Sequence, residues 1–378
     1  MIYKLDSNQP MIGSAKIYDD EIARDVVAVS KLILSITSDR ALGGINNSLK
    51  TYSKAMALAD IGHVIIITKS APALDEMGQM DNVKLILLPA LIMRFHILTR
   101  FLLHRKIRRL MAHADAIFLH NGKHAGQINQ HADKTYVINH NGKARRLDRA
   151  SNIIFLNHAA KQNFYETFNK LTTPCHVIGH GFDVGDEIVR PQQPPETVKI
   201  ISAGRLMEKK GYRDLVETAR ILADKNTPCH ITIFGEGADE AYLKQKIADY
   251  QLQNIGIQPW TKTLRAEYAK ADIFCTPSHG ESFPLVIGEA LETGLAIAAT
   301  RTNGGLEYFN HYASEAHPIG RLSDIGSAEQ MADVLDELVR NHELRRQMST
   351  NARTLLTTRL SLRVLGEKFT ALCDKKLG

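Results

Sequence analysis

The sequence predicts an α/β protein made of two doubly wound parallel-sheet domains, and three observations predict it. At 378 residues the chain exceeds one ordinary core and suits two domains of roughly 180 residues each. From about residue 31 short apolar runs alternate with longer amphipathic stretches, the pattern of βαβ units on a parallel sheet. Midway, GHGFDVGDEIVRPQQPPET is rich in Gly and Pro, and Pro191, Pro194 and Pro195 interrupt any helix or central strand.

In chain order, the first half offers strands at 32–37, 63–68, 84–89, 116–120, 135–140 and 152–156. The second half offers 198–204, 229–235, 254–258, 271–277 and 295–300. The Gly/Pro segment is the linker, which sets the domains at 1–188 and 189–378. From Ala328 the chain reads as two or three closing helices. The opening residues include DDEIARDVVAVS, a possible helix with no evident role.

Composition narrows the class. A hydrophobic share of 44% and a charged share of 23% describe an ordinary globular protein. Four scattered cysteines without a CxxC pair suggest neither a zinc site nor a disulfide framework, and a reducing cytosol fits best. The N-terminus has no apolar core segment of a leader, and no run approaches the roughly 18 apolar residues of a membrane span. Formal charge is +6; residues 1–190 hold 24 Lys and Arg against 17 Asp and Glu, an excess of +7, leaving 23 against 24, or −1, for the rest. The first half is therefore expected to meet something anionic.

Chemistry concentrates in the second half. HGESFPLVIGEALETG, residues 279–294, separates Glu281 from Glu289 by seven residues. With Pro284 in the first helical turn, Glu281 sits in the loop and Glu289 on the second turn, so both carboxylates can enter one crevice. Such a pair can grip the hydroxyls of a sugar and a ribose, while the amides of 283–286 can meet a phosphate. Two glutamates at this spacing also arise by chance as solvated side chains. Earlier, SAGRLMEKKGYRDL ends a strand at Gly204 and supplies Arg205 and Lys210 as two cations for a diphosphate; Lys209 beside Lys210 fits as well. ITIFGEGADE places Gly235 and Gly237 in a tight βα turn, although Glu240 occupies the third glycine position of a dinucleotide fingerprint. Near the front, Gly43 and Gly44 stand between a strand and a helix, where backbone amides can approach a phosphate.

The ordered set GRLxxxKG, FGxG, PSxxES and Glu-x7-Glu resembles the family 4 nucleotide-sugar glycosyltransferases, retaining enzymes of the two-domain Rossmann-like GT-B fold. The resemblance runs over roughly 31–378 and is strongest over 198–310. It implies two domains facing a cleft, with the last helix, about 360–378, packing back on the first domain. It implies a hexosyl-type transfer from a UDP- or GDP-sugar to a hydroxyl of a cell-envelope glycan or glycolipid, such as a lipopolysaccharide core. By the same resemblance Glu281 contacts the donor sugar, Glu289 holds the ribose, and Arg205 and Lys210 bind the diphosphate. Gly43 and Gly44 approach the diphosphate from the other domain, Phe283, Pro284 and Leu285 offer backbone amides, and His140 stands beside the reacting sugar. The chain holds 16 histidines, and His120 and His180 are alternatives for that role. His180-Gly181-Phe182-Asp183 departs from the family's usual Asn-Gly-Val-Asp hinge.

The sequence has no DxD, so no metal and no other cofactor is expected. A nicotinamide oxidoreductase would need GxGxxG and an acid about 20 residues on, which neither half supplies. A nucleotide-sugar epimerase of the same fold and a non-catalytic binding protein remain as alternatives, and nucleic acid is not an expected partner. Residues 82–114 carry Lys84, Arg94, Arg100, Arg105, Lys106, Arg108 and Arg109 and no acid. Over 94–109 the apolar and basic positions do not separate cleanly, so the segment reads as half buried and half clinging to phosphates, at a peripheral site on the inner face of the cytoplasmic membrane. A core helix with a basic end is the plainer reading.

Overall fold

The structure, a computed structural model, describes residues 2–3, 30–37, 44–68, 74–88, 105–120, 129–143, 147–186, 188 and 193–376. It divides into two compact units: Met1–Gly181 with Leu362–Gly378, and Phe182–Ser361. The expected boundary at 188/189 therefore moves to Gly181/Phe182. Phe182 explains the shift, because its buried ring lies against Gly288, where even a methyl group would overlap it. The Asp183 amide donates to Glu292 Oε1 at 2.9 Å. Residues that read as linker by composition are already packed on the second unit.

The first unit carries an all-parallel sheet of eight strands: β1 (Ile2–Tyr3), β2 (Lys31–Ile36), β3 (Ile61–Thr68), β4 (Val83–Leu88), β5 (Ala116–Leu119), β6 (Thr135–Asn139), β7 (Asn152–Phe155) and β8 (Cys175–Val177). Their order is β1-β4-β3-β2-β5-β6-β7-β8. Successive side chains of a strand point to opposite faces, and both faces of β2 are buried. Leu32, Leu34 and Ile36 join one core with Val64, Ile66, Ile117 and Phe155, while Ile33 and Ser35 face the other side. Helices α1 (Gly44–Leu58), α2 (Arg105–His113) and α3 (His158–Thr167) cover the sheet.

The second unit orders β9 (Val198–Ala203), β10 (Cys229–Phe234), β11 (Ile255–Gln258), β12 (Ile273–Thr276), β13 (Ala296–Thr300) and β14 (Gly320–Ser323) as β11-β10-β9-β12-β13-β14. Numbered within the unit this is 3-2-1-4-5-6, the doubly wound order whose strand direction of growth reverses beside the first strand. Ligands of such sheets bind outside the carboxyl ends of the strands at that reversal, here between β9 and β12. Helices α4 (Tyr212–Asp224), α5 (Glu240–Asp249), α6 (Leu264–Lys270), α7 (Leu285–Glu292), α8 (Ala328–Arg340) and α9 (His342–Leu355) surround the sheet. Helix α8 is capped by Ser327, which accepts from the Gln330 amide, and buries Met331, Ala332, Leu335, Leu338 and Val339 as one stripe. At roughly 1.5–3 kcal/mol for each large apolar side chain, that stripe fixes the helix on the sheet.

The last helix, α10 (Leu362–Cys373), belongs to the first unit. Gly366 lies so close to the Ala55 carbonyl of α1 that an added Cβ would stand 2.5 Å from it. Phe369 packs edge-on to Tyr52, with centroids 5.1 Å apart, and tilted against Phe118. All four cysteines are free. Among the described residues no helix is long and apolar enough to cross a membrane. Residues 19–29 of the DDEIARDVVAVS segment, residues 89–104 and Gly43 lie outside the described residues.

Candidate functional site

The loop leaving β9 begins with Gly204 and the exposed Arg205, buries Leu206, and closes in a short helical turn, Glu208–Lys210. Gly211 then adopts φ 68°, a left-handed conformation that glycine reaches without penalty. A Cβ on Gly211 would stand 1.9 Å from the Pro277 carbonyl oxygen, so this glycine lets the loop lie against the end of β12. The His279 amide donates to the Lys209 carbonyl at 2.9 Å, and the His279 ring reaches Asp214 at 2.5 Å. The two loops at the strand-order reversal are thereby tied together.

That tie brings together residues far apart in sequence. Lys210 Nζ forms an ion pair with Glu281 Oε1, and Ser278 Oγ donates to the same oxygen at 3.0 Å. Lys210 and Glu281 are 23% and 16% exposed, enough to meet a ligand and little enough to hold one geometry. A lysine ammonium has three donors, so two remain after the bond to Glu281. Arg205 has no ion pair or hydrogen bond among the described residues. A third loop closes the site from β13: the Thr302 side chain caps a helical turn over Asn303–Leu306, and the Gly304 amide donates to the Glu281 carbonyl at 2.9 Å. A Cβ on Gly304 would stand 2.8 Å from the Ser282 carbonyl carbon, so this second glycine is also set by close backbone approach.

Pro284 is not in the first helical turn but is the N-cap of α7, with φ −71° and ψ 103°, and the helix starts at Leu285. The fixed φ of proline suits an extended cap as well as a first turn. The amides of Leu285 and Val286 are the first two of the helix, and neither has an acceptor among the described residues. The Phe283 ring is buried against Tyr308, with centroids 4.8 Å apart, and Tyr308 Oη donates to the Pro284 carbonyl at 3.2 Å. Phe283 therefore contributes packing through its side chain. Glu289, on the second turn of α7, is held by burial above the usual carboxylate range. Glu292 lies one turn further along and rises to about 7, again mainly through burial.

Gly204, Gly235 and Gly237 have a structural account. A Cβ on Gly235 would meet the Gly204 carbonyl oxygen at 2.0 Å, and one on Gly237 the Leu206 carbonyl oxygen at 2.2 Å. A Cβ on Gly204 would stand 2.8 Å from Tyr212 Oη. The βα loops after β9 and β10 pack backbone to backbone, which demands glycine whether or not a ligand is bound.

In the first unit Gly44 opens α1 after β2. The three candidate histidines separate by burial. His120 and His180 are buried, and His180 stacks on Tyr52 and contacts Ser48 Oγ at 3.3 Å. His140, at the end of β6, is partly exposed; its Nε2 lies 3.0 Å from His120 Nδ1, and burial lowers it to about 4. At neutral pH His140 is an uncharged imidazole. On α2, Ile107, Leu110 and Met111 are buried while Arg108 and Arg109 are exposed, so over its described side chains the helix has a core face and a basic face. Ser278, Asp214, His279 and Gly304 join the cluster without having been singled out individually; Ser278 lies in PSxxES, Asp214 in SAGRLMEKKGYRDL and His279 in HGESFPLVIGEALETG.

Residues 185–355 match the family described as glycosyl transferases group 1. An uncharacterized glycosyltransferase of Haemophilus influenzae is 30% identical over 161 residues, 42% of this chain and 44% of that protein. The amylovoran biosynthesis glycosyltransferase AmsK of Erwinia amylovora is 32% identical over 150 residues, 37% of this chain and 35% of that one. The chain thus spans less than half the length of these relatives. Among solved structures, a glycosyltransferase from Rickettsia africae superposes with a TM-score of 0.73 at 17% identity, covering 92% of this chain and 98% of the other. Anabaena HepE in complex with UDP and glucose gives 0.71 at 16%, covering 91% and 100%. The matched residues lie within the second unit, and the fold is GT-B, two Rossmann-like parallel-sheet domains.

Proposed function

We propose that this chain is a retaining, metal-independent glycosyltransferase of the family 4 type. It transfers a hexosyl group from a UDP- or GDP-sugar to a hydroxyl of a cell-envelope glycan or glycolipid. The observation that carries the reading is the cluster at the β9/β12 reversal, where Lys210, Ser278 and Glu281 hold one another beside an exposed Arg205 and two helix-terminal amides. Two cations and two amides suit a diphosphate, and a carboxylate already anchored by Lys210 and Ser278 suits sugar hydroxyls.

In this reading the bond between the anomeric carbon and the diphosphate oxygen breaks while the acceptor oxygen bonds to the same face of the sugar, and the acceptor hydroxyl's proton passes to the departing diphosphate oxygen. Arg205 and Lys210 stabilise the charge that develops on the departing diphosphate, a contribution that is largest where the donors are already in place. Glu281 orients the sugar, Glu289 binds the ribose, and neutral His140 accepts a hydrogen bond from the substrate. The relatives support an envelope acceptor: AmsK is named for amylovoran biosynthesis, and LpsE of Rhizobium meliloti, 23% identical over 199 residues, for lipopolysaccharide core biosynthesis. Work at the inner face of the cytoplasmic membrane, with residues 94–109 against anionic lipid, completes the proposal.

The test is release of nucleoside diphosphate from a panel of UDP- and GDP-sugars, with and without envelope lipid acceptors and with EDTA present. Acceptor-dependent release that survives EDTA, with a product of unchanged anomeric configuration, is the expected result. Epimerised sugar without transfer points to an epimerase, and activity lost in EDTA and restored by magnesium or manganese refutes metal independence. Equal cosedimentation with anionic and neutral vesicles removes the membrane from the proposal.

A further inference from the structure

A chain of hydrogen bonds runs through the interior of the first unit and ends at His140. Ser53 on α1 donates from Oγ to the Leu49 carbonyl at 2.9 Å, and its oxygen lies 2.8 Å from His63 Nδ1 on β3. His63 Nε2 is 2.7 Å from Ser35 Oγ on β2. Ser35 Oγ is also 3.3 Å from Nε2 of His120, the residue after β5, and His120 Nδ1 is 3.0 Å from His140 Nε2. Ser35, Ser53, His63 and His120 are all buried.

Proton counting orders this chain. Each hydroxyl has one hydrogen and each neutral imidazole one N–H, and burial keeps His63, His120 and His140 neutral. With the Ser53 hydrogen given to the Leu49 carbonyl, His63 Nδ1 must be the donor to Ser53. His63 Nε2 is then bare and takes the Ser35 hydrogen. Ser35 in turn accepts from His120 Nε2–H, which leaves His120 Nδ1 bare to accept from His140 Nε2–H. The reversed polarity forms four of these bonds, because the Ser53 hydrogen leaves the Leu49 carbonyl for His63; the forward polarity forms five. One additional bond biases the equilibrium roughly two- to tenfold.

We propose that Ser53, His63, Ser35 and His120 are positioning residues that fix His140 as its Nε2–H tautomer, so that Nδ1 is presented as a bare acceptor for a donor group of the substrate. The tautomer follows from the geometry of the first unit alone. Its use on a sugar or acceptor hydroxyl rests on the function proposed above.

Ser53→Ala tests it four links from the outer nitrogen. Without the Ser53 oxygen, an N–H at His63 Nδ1 would be buried unpaired, which is costlier than a bare nitrogen there, so the chain reverses and His140 becomes Nδ1–H. Two-dimensional 1H–15N spectra of histidine-labelled protein read the tautomer directly, with His140→Asn identifying the signal and the amide spectrum checking the fold. The expected result is Nε2–H in the parent, a shift toward Nδ1–H in Ser53→Ala, and recovery in Ser53→Thr, which keeps a hydroxyl. His140 found as Nδ1–H in the parent, or unchanged in Ser53→Ala, overturns the proposal. Turnover should fall several-fold in Ser53→Ala with nucleoside diphosphate affinity unchanged. A reversed tautomer with unaltered turnover sustains the hydrogen-bond chain and removes His140 from the proposed function.

Discussion

Glu292 makes the second unit sensitive to pH in a direction that one substitution should abolish. Its carboxyl accepts from the Asp183 amide at 2.9 Å and lies 3.7 Å from Arg265 Nε, yet burial raises it from an ordinary 4.5 to about 7. A carboxyl raised on folding keeps its proton in the folded state over the range in which the unfolded chain releases it. The cost is therefore absent below about 4.5, grows between the two values, and is complete above about 7. That interval corresponds to a loss of about 3 kcal/mol at most, with Glu292 only 11% exposed. Glu292→Gln keeps an acceptor for the Asp183 amide and cannot ionise. Denaturant unfolding followed by the fluorescence of Trp260, the chain's one tryptophan and a residue of the second unit, supplies the measurement. The variant should match the parent near pH 4.5 and exceed it by up to about 3 kcal/mol at pH 8, about 2–4 °C in Tm per kcal/mol. A difference that stays flat from pH 5 to 8, or a variant weaker at pH 8, refutes the argument.

Other substitutions separate binding from architecture. Arg205→Ala should weaken nucleoside diphosphate binding roughly 10- to 100-fold by calorimetry with Tm unchanged, since Arg205 is exposed and has no ion pair among the described residues. Glu289→Ala should weaken the same binding, whereas Glu281→Ala should cut turnover and spare it; equal losses in the two titrations sink the assigned roles. Gly211→Ala should destabilise the second unit by at least about 2 kcal/mol, because φ 68° and a 1.9 Å approach to the Pro277 oxygen both oppose a Cβ. A melting temperature equal to the parent's would show that the loop shifts freely.

Eleven strands were legible because buried parallel strands read as short apolar runs. The three missed ones lacked that signal. Strand β8 has three residues after Pro174, β1 has two, and β14, GRLS, is an edge strand with Arg321 in its middle. The mistaken boundary has a related cause. Gly and Pro around residue 185 read as linker, but Phe182 and Asp183 were already engaged with Gly288 and Glu292, contacts that span more than a hundred residues. GRLxxxKG and PSxxES fall on the two loops at the β9/β12 reversal, while the bond between them, Lys210 to Glu281 across 71 residues, had no expression in either motif.

The hydrogen-bond chain behind His140 shows where more could have been read. Its links join residues 10, 28, 85 and 20 positions apart, since each crossover of a parallel sheet returns the chain to a neighbouring strand, and no spacing rule connects them. Composition along single strands nevertheless held a clue. Strand β2 is KLILSI and β3 is IGHVIIIT, apolar runs interrupted at interior positions by Ser35 and His63. A polar group buried without a partner costs on the order of 1–3 kcal/mol, so a serine and a histidine inside two strands that otherwise read as fully buried imply each other as partners. The register bears this out, because β2 pairs with β3 through Ser35 beside Ile65, two residues from His63, on the same face of the sheet. Polar residues embedded in apolar strands are therefore evidence of a buried network, and in a doubly wound sheet the strands at the reversal, here β2 and β5, carry that network to the end where ligands bind.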